Sequence, residues 1–251
     1  MIHTIQADFY RLFRSKGFWI TEFILFALML MGATIGATGH LMSVNTTPET
    51  EFPTKGWDGV QALINASSND SNLVFLCIIL TCLVLGVDLI GKLYKNSLTV
   101  GVSRTEFFLA KFFVLASIAL LQLIASLVIA FVPATLLNGL GTIPDGFIAN
   151  LLLMIFLQFL CLLAWLSIIS FILYVTHSYL AVFIGYLVTS IILSMPMFIF
   201  PNIEILRYLS LNFAYAMTAD SQAILYTITV CIAIILFFSL SGLTVFKKKS
   251  L

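Results

Sequence analysis

Gly86, four intervening residues, Gly91 and Lys92 reproduce the spacing of a phosphate-binding loop. Such a loop needs a Ser or Thr hydroxyl after the lysine to hold magnesium, and Leu93 stands there instead. The surrounding residues are also a continuous apolar run rather than a strand that leads into a helix, which argues against nucleotide binding by this chain. His3, His40 and His177 lie on separate segments with no metal-ligand spacing between them. Cys77, Cys82, Cys161 and Cys231 all fall in apolar windows and read as small core residues rather than a disulfide framework or a metal site. No serine sits in a nucleophile elbow, and Ser103 is better explained as a helix cap. The expectation is a chain with no catalytic, cofactor-binding or metal-ligating residue of its own.

What remains of chemical interest is charge in apolar surroundings. Asp88 and Lys92 stand four apart, the spacing at which side chains on one helical face meet, and are expected to pair. Glu22 has no evident local partner and is a candidate for a polar path, although its shallow position also allows it to reach the headgroups.

The elements that carry these residues follow from composition. Hydrophobic residues make up 61% of 251 positions and charged ones 9%, too few to clothe an aqueous globule. Residues 146–203 contain no Asp, Glu, Lys or Arg. As one helix that run would far exceed a hydrocarbon core of roughly 30 Å, so it must cross a bilayer twice. The fold class is therefore an all-α integral membrane protein, a single transmembrane domain over 1–251, with six spans at 17–41, 72–93, 107–137, 147–175, 179–200 and 223–246. The break between the fourth and fifth spans is placed at the polar turn Tyr174 to Tyr179 because length demands one there.

With an even number of spans both termini share a side. That side would hold Arg11, Arg14, Lys16, Lys92, Lys95, Arg104, Lys111, Lys247, Lys248 and Lys249, against Lys55 and Arg207 opposite, which makes it cytoplasmic. The opposite face collects seven acids against those two cations, a formal −5 that would attract cationic substrates or merely reflect the freedom of acids to face out.

Residues 1–16 place Ile2, Ile5, Phe9, Leu12 and Phe13 on one helical face, as in a helix lying in the membrane interface. It is either an anchor or a lever that touches a cytoplasmic partner through Asp8, Arg11 and Arg14. Between the second and third spans, Gly101 can end a short helix in a left-handed conformation, and Ser103 and Glu106 have capping-box spacing. Helix, break and new helix make a rigid elbow. On the other side, the Trp57 to Leu63 segment is read as contributing one short helix. Gly32 and Gly36 form a close-packing motif in the first span. Pro196 and Pro201 should stop or bend the fifth span, and Ile203 to Met217 is apolar enough to re-enter the membrane, with Glu204 and Arg207 paired across one turn.

The amphipathic start Asp8, Phe9, Tyr10, Arg11, Leu12, Phe13, Arg14, Ser15, Lys16, the six spans, and the elbow Asn96, Ser97, Leu98, Thr99, Val100, Gly101, Val102, Ser103, Arg104 leading to Lys111 together resemble the membrane subunit of ABC-2 type transporters, small bacterial permeases that work with a separate ATPase. The resemblance implies that the segment Lys95, Asn96, Ser97, Leu98, Thr99, Val100, Gly101, Val102, Ser103, Arg104 is a cytoplasmic coupling helix contacting the ATPase, with the amino-terminal helix beside it and a re-entrant outer helix before the last span. It further implies ATP and magnesium on two partner ATPase subunits, a second identical or homologous permease, the bacterial plasma membrane as location, and no nucleic-acid partner. Short loops and the lack of a large outer domain resemble permeases that export peptides or confer immunity to antimicrobial peptides. Two other classes stay open from the residues alone. An intramembrane enzyme would need a polar catalytic cluster at membrane depth, and an ATP-independent channel or carrier would need charged or broken helices around a midplane site.

Overall fold

In a computed structural model the chain is described at residues 2–35, 56–68, 70–144, 146–200, 203–212 and 221–248. These residues are all-helical, with no strand among them. The amphipathic start forms α1 (Ile2–Arg14), and α2 (Lys16–Ile35) follows after a single residue. The Ser15 hydroxyl accepts from the Phe18 backbone at 3.1 Å and so opens α2. A short helix, α3 (Gly59–Ser68), holds most of the Trp57 to Leu63 segment. The second long apolar run is built from α4 (Asp70–Thr81), a π-helical turn (Cys82–Gly86) and α5 (Val87–Ile90). The elbow contains α6 (Tyr94–Thr99), and then come α7 (Arg104–Asn138), α8 (Phe147–Thr176), α9 (Tyr179–Ile199), a 3-10 turn (Glu204–Ser210) and α10 (Ser221–Lys248).

Among the described residues five helices are long and apolar enough to cross a membrane: Asn72–Ile90, Arg104–Asn138, Phe147–Thr176, Tyr179–Ile199 and Gln222–Lys248. They coincide with the second to sixth expected spans. The expected first span, 17–41, is represented by α2, and its residues 36–41 lie outside the described residues, as do Gly36 of the close-packing motif, Pro201 and Met217. The turn placed between spans four and five, on length and on its polar residues, is present. His177 takes a left-handed conformation (φ 50°) and ends α8, and the carbonyl of Ser178 opens α9. Pro196 sits inside α9 only three residues before its end and does not stop it, because its missing N–H costs one helical bond near a terminus. Of the Ile203 to Met217 segment, residues 203–212 are described, and Glu204–Ser210 within them is a short 3-10 turn packed beside α9 and α10, where Tyr208 meets Ala223 and Val230. The Glu204 side chain lies outside the described ones, so its expected pairing with Arg207 is not described.

Burial grades the bundle. Some 72% of the second-span window is buried against 11% for α9, so the Asn72–Ile90 helix is central and α9 peripheral. Around the central helix, Leu25 and Met29 of α2, Leu73, Ile78 and Leu85 of the second span, Val114 and Leu123 of α7, and Leu157 and Ile169 of α8 form one contiguous core. α10 pairs with α8, bringing the Cys161 and Cys231 sulfurs to 3.7 Å and stacking Phe171 edge-on against Phe238.

The two ends of the bundle differ. At one end α3 closes on the end of α7, with Gly59 N–H donating to Gly139 C=O at 2.9 Å and Asn138 Nδ2 donating to Trp57 C=O at 2.8 Å. The other end gathers α1, the elbow, the His177 turn and the end of α10, and it is the basic end. Gly86, the first glycine of the loop-like string, has no phosphate role here. It closes the π turn, and a Cβ added there would lie 2.5 Å from Tyr179 Cε1. Gly86→Val is therefore expected to destabilise the detergent-solubilised protein by about 1–3 kcal/mol in thermal unfolding. Adding Tyr179→Ala should restore most of that loss, and no rescue would show that the strain lies elsewhere.

Candidate functional site

The basic end holds a cluster of four charges, three of them buried, drawn from α1, the second span and α7. Lys111 Nζ is 2.6 Å from both carboxylate oxygens of Asp8 and also pairs with Asp88. Arg11 Nη1 reaches Asp88 at 2.5 Å, and Nη2 reaches Asp8 at 3.3 Å and the Val84 carbonyl at 3.1 Å. Lys111 is 1% exposed and the two aspartates 5% each, so three of the charges sit in a nearly dry setting and the half-buried Arg11 brings the fourth to neutralise them.

Local structure explains why the four meet. The amphipathic face of α1 packs Leu12 into the core, and this turns Asp8, one helical turn earlier, inward as well. In the second span the π turn widens the helix, as the bond from Val87 N–H to Cys82 C=O records, and within that turn the Val84 carbonyl accepts from Arg11. Burial, the strongest influence, holds the Asp8 carboxyl above its usual range against the opposing pull of Lys111. At Arg11 burial works against the charge, but the Asp88 hydrogen bond and the two nearby carboxylates outweigh it and raise its value.

The expected pair of Asp88 with Lys92 does not form, and the reason is the end of the helix. α5 stops at Ile90, Gly91 caps it, and Lys92 turns left-handed (φ 56°) in a three-residue turn, so the four-residue spacing no longer means one face. Arg11 and Lys111 occupy Asp88 instead.

The elbow has the geometry that its sequence predicts. Gly101 is left-handed (φ 98°), and Ser103 Oγ accepts from Glu106 N–H at 3.1 Å while Glu106 Oε2 accepts from Ser103 N–H at 3.1 Å, a reciprocal capping box that opens α7. Tyr94 anchors α6 inward, its ring 5.7 Å from Phe246 and 6.4 Å from His177. Lys95, Ser97 and Leu98 are partly covered, whereas Asn96, Thr99 and Gly101 face outward and Val100 is 85% exposed. Arg104 folds back on the chain, donating to the carbonyls of Phe246 at 3.2 Å and Lys247 at 2.6 Å at the end of α10. On α1, Arg14 stays near the surface, donating to the Tyr10 hydroxyl at 2.5 Å and lying over that ring. Asp8 and Arg11 are brought together with Asp88 and Lys111, Arg14 is not, and Glu22 lies apart, accepting a hydrogen bond from Gln122 of α7.

Between α1 and the elbow runs a cleft of about 550 Å³, lined by Thr4, Asp8 and Arg11 on one side and Asn96, Ser97 and Val100 on the other. Lys111 was counted in the sequence only as a surface cation. Its position four residues inside the expected third span was the available signal, since a charge within a span calls for a partner. Among the described residues no group of His, Cys, Asp and Glu is arranged to hold a metal ion.

The sequence matches the profile of the ABC-2 family transporter proteins over residues 4–195, from α1 through most of α9. The match covers most of the chain, which therefore belongs to that family and is an ABC-2 type permease. No curated protein matches it.

Proposed function

We propose that this chain is the permease subunit of an ATP-driven exporter. Two cytoplasmic ATPase subunits would carry ATP and magnesium and dock on residues 95–104, and a second permease, identical or homologous, would complete the pathway. The cargo would be a peptide or another amphipathic molecule expelled from a bacterial plasma membrane, with both termini and the basic end in the cytoplasm. The observation that carries this reading is the shared cleft. α6 forms one wall of it, α1 the other, and the four-charge cluster at its floor ties α1 to the end of the second long helix and the start of the third. A push on the elbow thus reaches three helices at once, which is what an ATP-driven change of shape requires of its receiver.

Val100 provides the test. It is a large apolar residue left in water at the tip of the elbow, and covering such a side chain contributes about 1.5–3 kcal/mol. In a complex reconstituted with its ATPase, Val100→Asp should lower permease-stimulated ATP hydrolysis about tenfold or more while leaving the melting of the isolated permease unchanged. Full stimulation together with undiminished co-purification of the ATPase would count against docking on the elbow.

A further inference from the structure

Glu22 and Gln122 meet at membrane depth. At 1.5 Å per residue Gln122 stands roughly 27 Å along α7 from Arg104 and roughly 24 Å from Asn138, near the middle of a helix that crosses a core of about 30 Å. Gln122 is fully buried, and its Nε2 donates to Glu22 Oε1, while its own Oε1 is buried without a donor. An acceptor with nothing to accept thus lies beside a carboxyl group.

No ion pair among the described residues includes Glu22. The elements against α2 are α1, α3, α4, α7 and the π turn, whose Leu83 lies beside Gly17 and whose one ionisable group, Cys82, is at the level of the start of α2, and the ionisable groups of the others are engaged or remote. On α1, Asp8 and Arg11 belong to the four-charge cluster, Arg14 and Tyr10 bind each other, and His3 is the second residue, at the end of α1 away from α2. On α7, Arg104 and Glu106 lie at its start, and Lys111, about three turns before Gln122, holds the two aspartates. α3 carries no ionisable side chain, α4 carries Cys77 and, at its first residue, Asp70, and Lys16 opens α2 itself.

We propose that Glu22 and Gln122 form a proton-binding site within the membrane, with Glu22 held as the neutral acid. An ionised carboxylate without a counter-ion is the costliest species to leave in an apolar setting, and a neutral amide cannot offset that cost. The neutral acid gains an O–H donor. Its Oε2–H then donates to Gln122 Oε1 while Gln122 Nε2–H donates to Glu22 Oε1, a two-bond ring that satisfies the orphaned oxygen and fastens α2 to α7. The ligand is the proton itself. Water entering the α2–α7 seam would solvate the anion and release that proton, so separation of the two helices is favoured as pH rises.

The test is infrared spectroscopy of the full chain in lipid bilayers at neutral pH, comparing wild type with Glu22→Gln, which keeps the ring as an amide pair. The expected difference is the loss of one neutral-carboxyl carbonyl band. A difference made instead of carboxylate stretching bands overturns the proposal. A second measurement needs no variant: a hydrophobic carbodiimide should modify Glu22 in wild-type membranes. The acid proton goes to one reagent nitrogen, the oxygen bonds its central carbon, and the acyl group migrates to the other nitrogen, so the Glu22 peptide gains the whole reagent mass. Wild-type protein that lacks both the band and the adduct at neutral pH likewise overturns it.

Discussion

Lys111→Met is expected to be the most damaging single substitution at the basic end. Among the described residues Lys111 is the only cation in contact with both carboxylate oxygens of Asp8, and it shares Asp88 with Arg11, whose side chain is 40% exposed. Removing it leaves two buried aspartates on one partly hydrated guanidinium. Breaking a buried ion pair on one side typically costs about 3–5 kcal/mol, a large part of a folding free energy of roughly 5–15 kcal/mol. The measurement is the unfolding midpoint in detergent, with membrane yield as a second reading. Replacing all three buried members as Asp8→Asn, Asp88→Asn and Lys111→Met leaves only the Arg11 guanidinium charged, and at 40% exposure it can be hydrated, so a large share of the loss should be recovered because no buried charge is left to desolvate. A triple variant as unstable as the single one would show that Lys111 matters through packing alone.

The same variant has a pH signature. Asp8 already sits above the usual carboxylate range, with burial as the leading cause. A carboxyl raised in the folded state favours folding when protonated, and that contribution is lost as pH rises through its folded value. With Lys111 gone, the Asp8 value rises further. The Lys111→Met deficit should therefore be largest at neutral pH and shrink on acidification towards the ordinary carboxylate value of about 4. A deficit independent of pH would mean that the aspartates are already solvated.

The contrast between what local sequence reveals and what it hides follows interaction range. Ser103 and Glu106 are three apart, and their reciprocal bonds need nothing but a helix start, so the cap was readable. The amphipathic α1, the left-handed Gly101 and the long apolar helices obey rules of the same kind. The charge cluster does not. Arg11 to Asp88 and Asp8 to Lys111 join residues 77 and 103 positions apart, and a neighbour rule applied to Asp88 selects Lys92 instead. What misled it was the backbone, because the helix ends at Ile90 and the π turn before it shifts which residues face α1. Glu22 was hidden for a related reason. Its partner is 100 residues away on α7, so a residue that reads as shallow along its own helix reaches the middle of another.

Arg104→Glu separates two ways in which the elbow passes force. The resemblance to ABC-2 permeases places Arg104 on the ATPase, yet in the isolated chain its guanidinium holds the last carbonyls of α10. Those carbonyls form the negative end of a helix dipole, where a cation is favourable and a carboxylate repelled. Phe246, whose carbonyl Arg104 binds, stacks on Phe107 at 5.5 Å and lies 5.3 Å from Tyr174 and 5.7 Å from Tyr94 of the elbow. Charge reversal should therefore fray the end of α10 first and loosen Tyr94 through Phe246. A charge-assisted hydrogen bond contributes about 1.5–3 kcal/mol, so amide exchange in the last turn of α10 should quicken roughly tenfold to a hundredfold in the isolated permease, before any partner is present. Stimulated ATP hydrolysis should fall in parallel, and Arg104→Lys, which keeps a cation at the helix end, should restore part of both. Unchanged exchange combined with lost stimulation would mean that Arg104 acts by touching the ATPase directly, and the inward tie to α10 would then have no part in coupling.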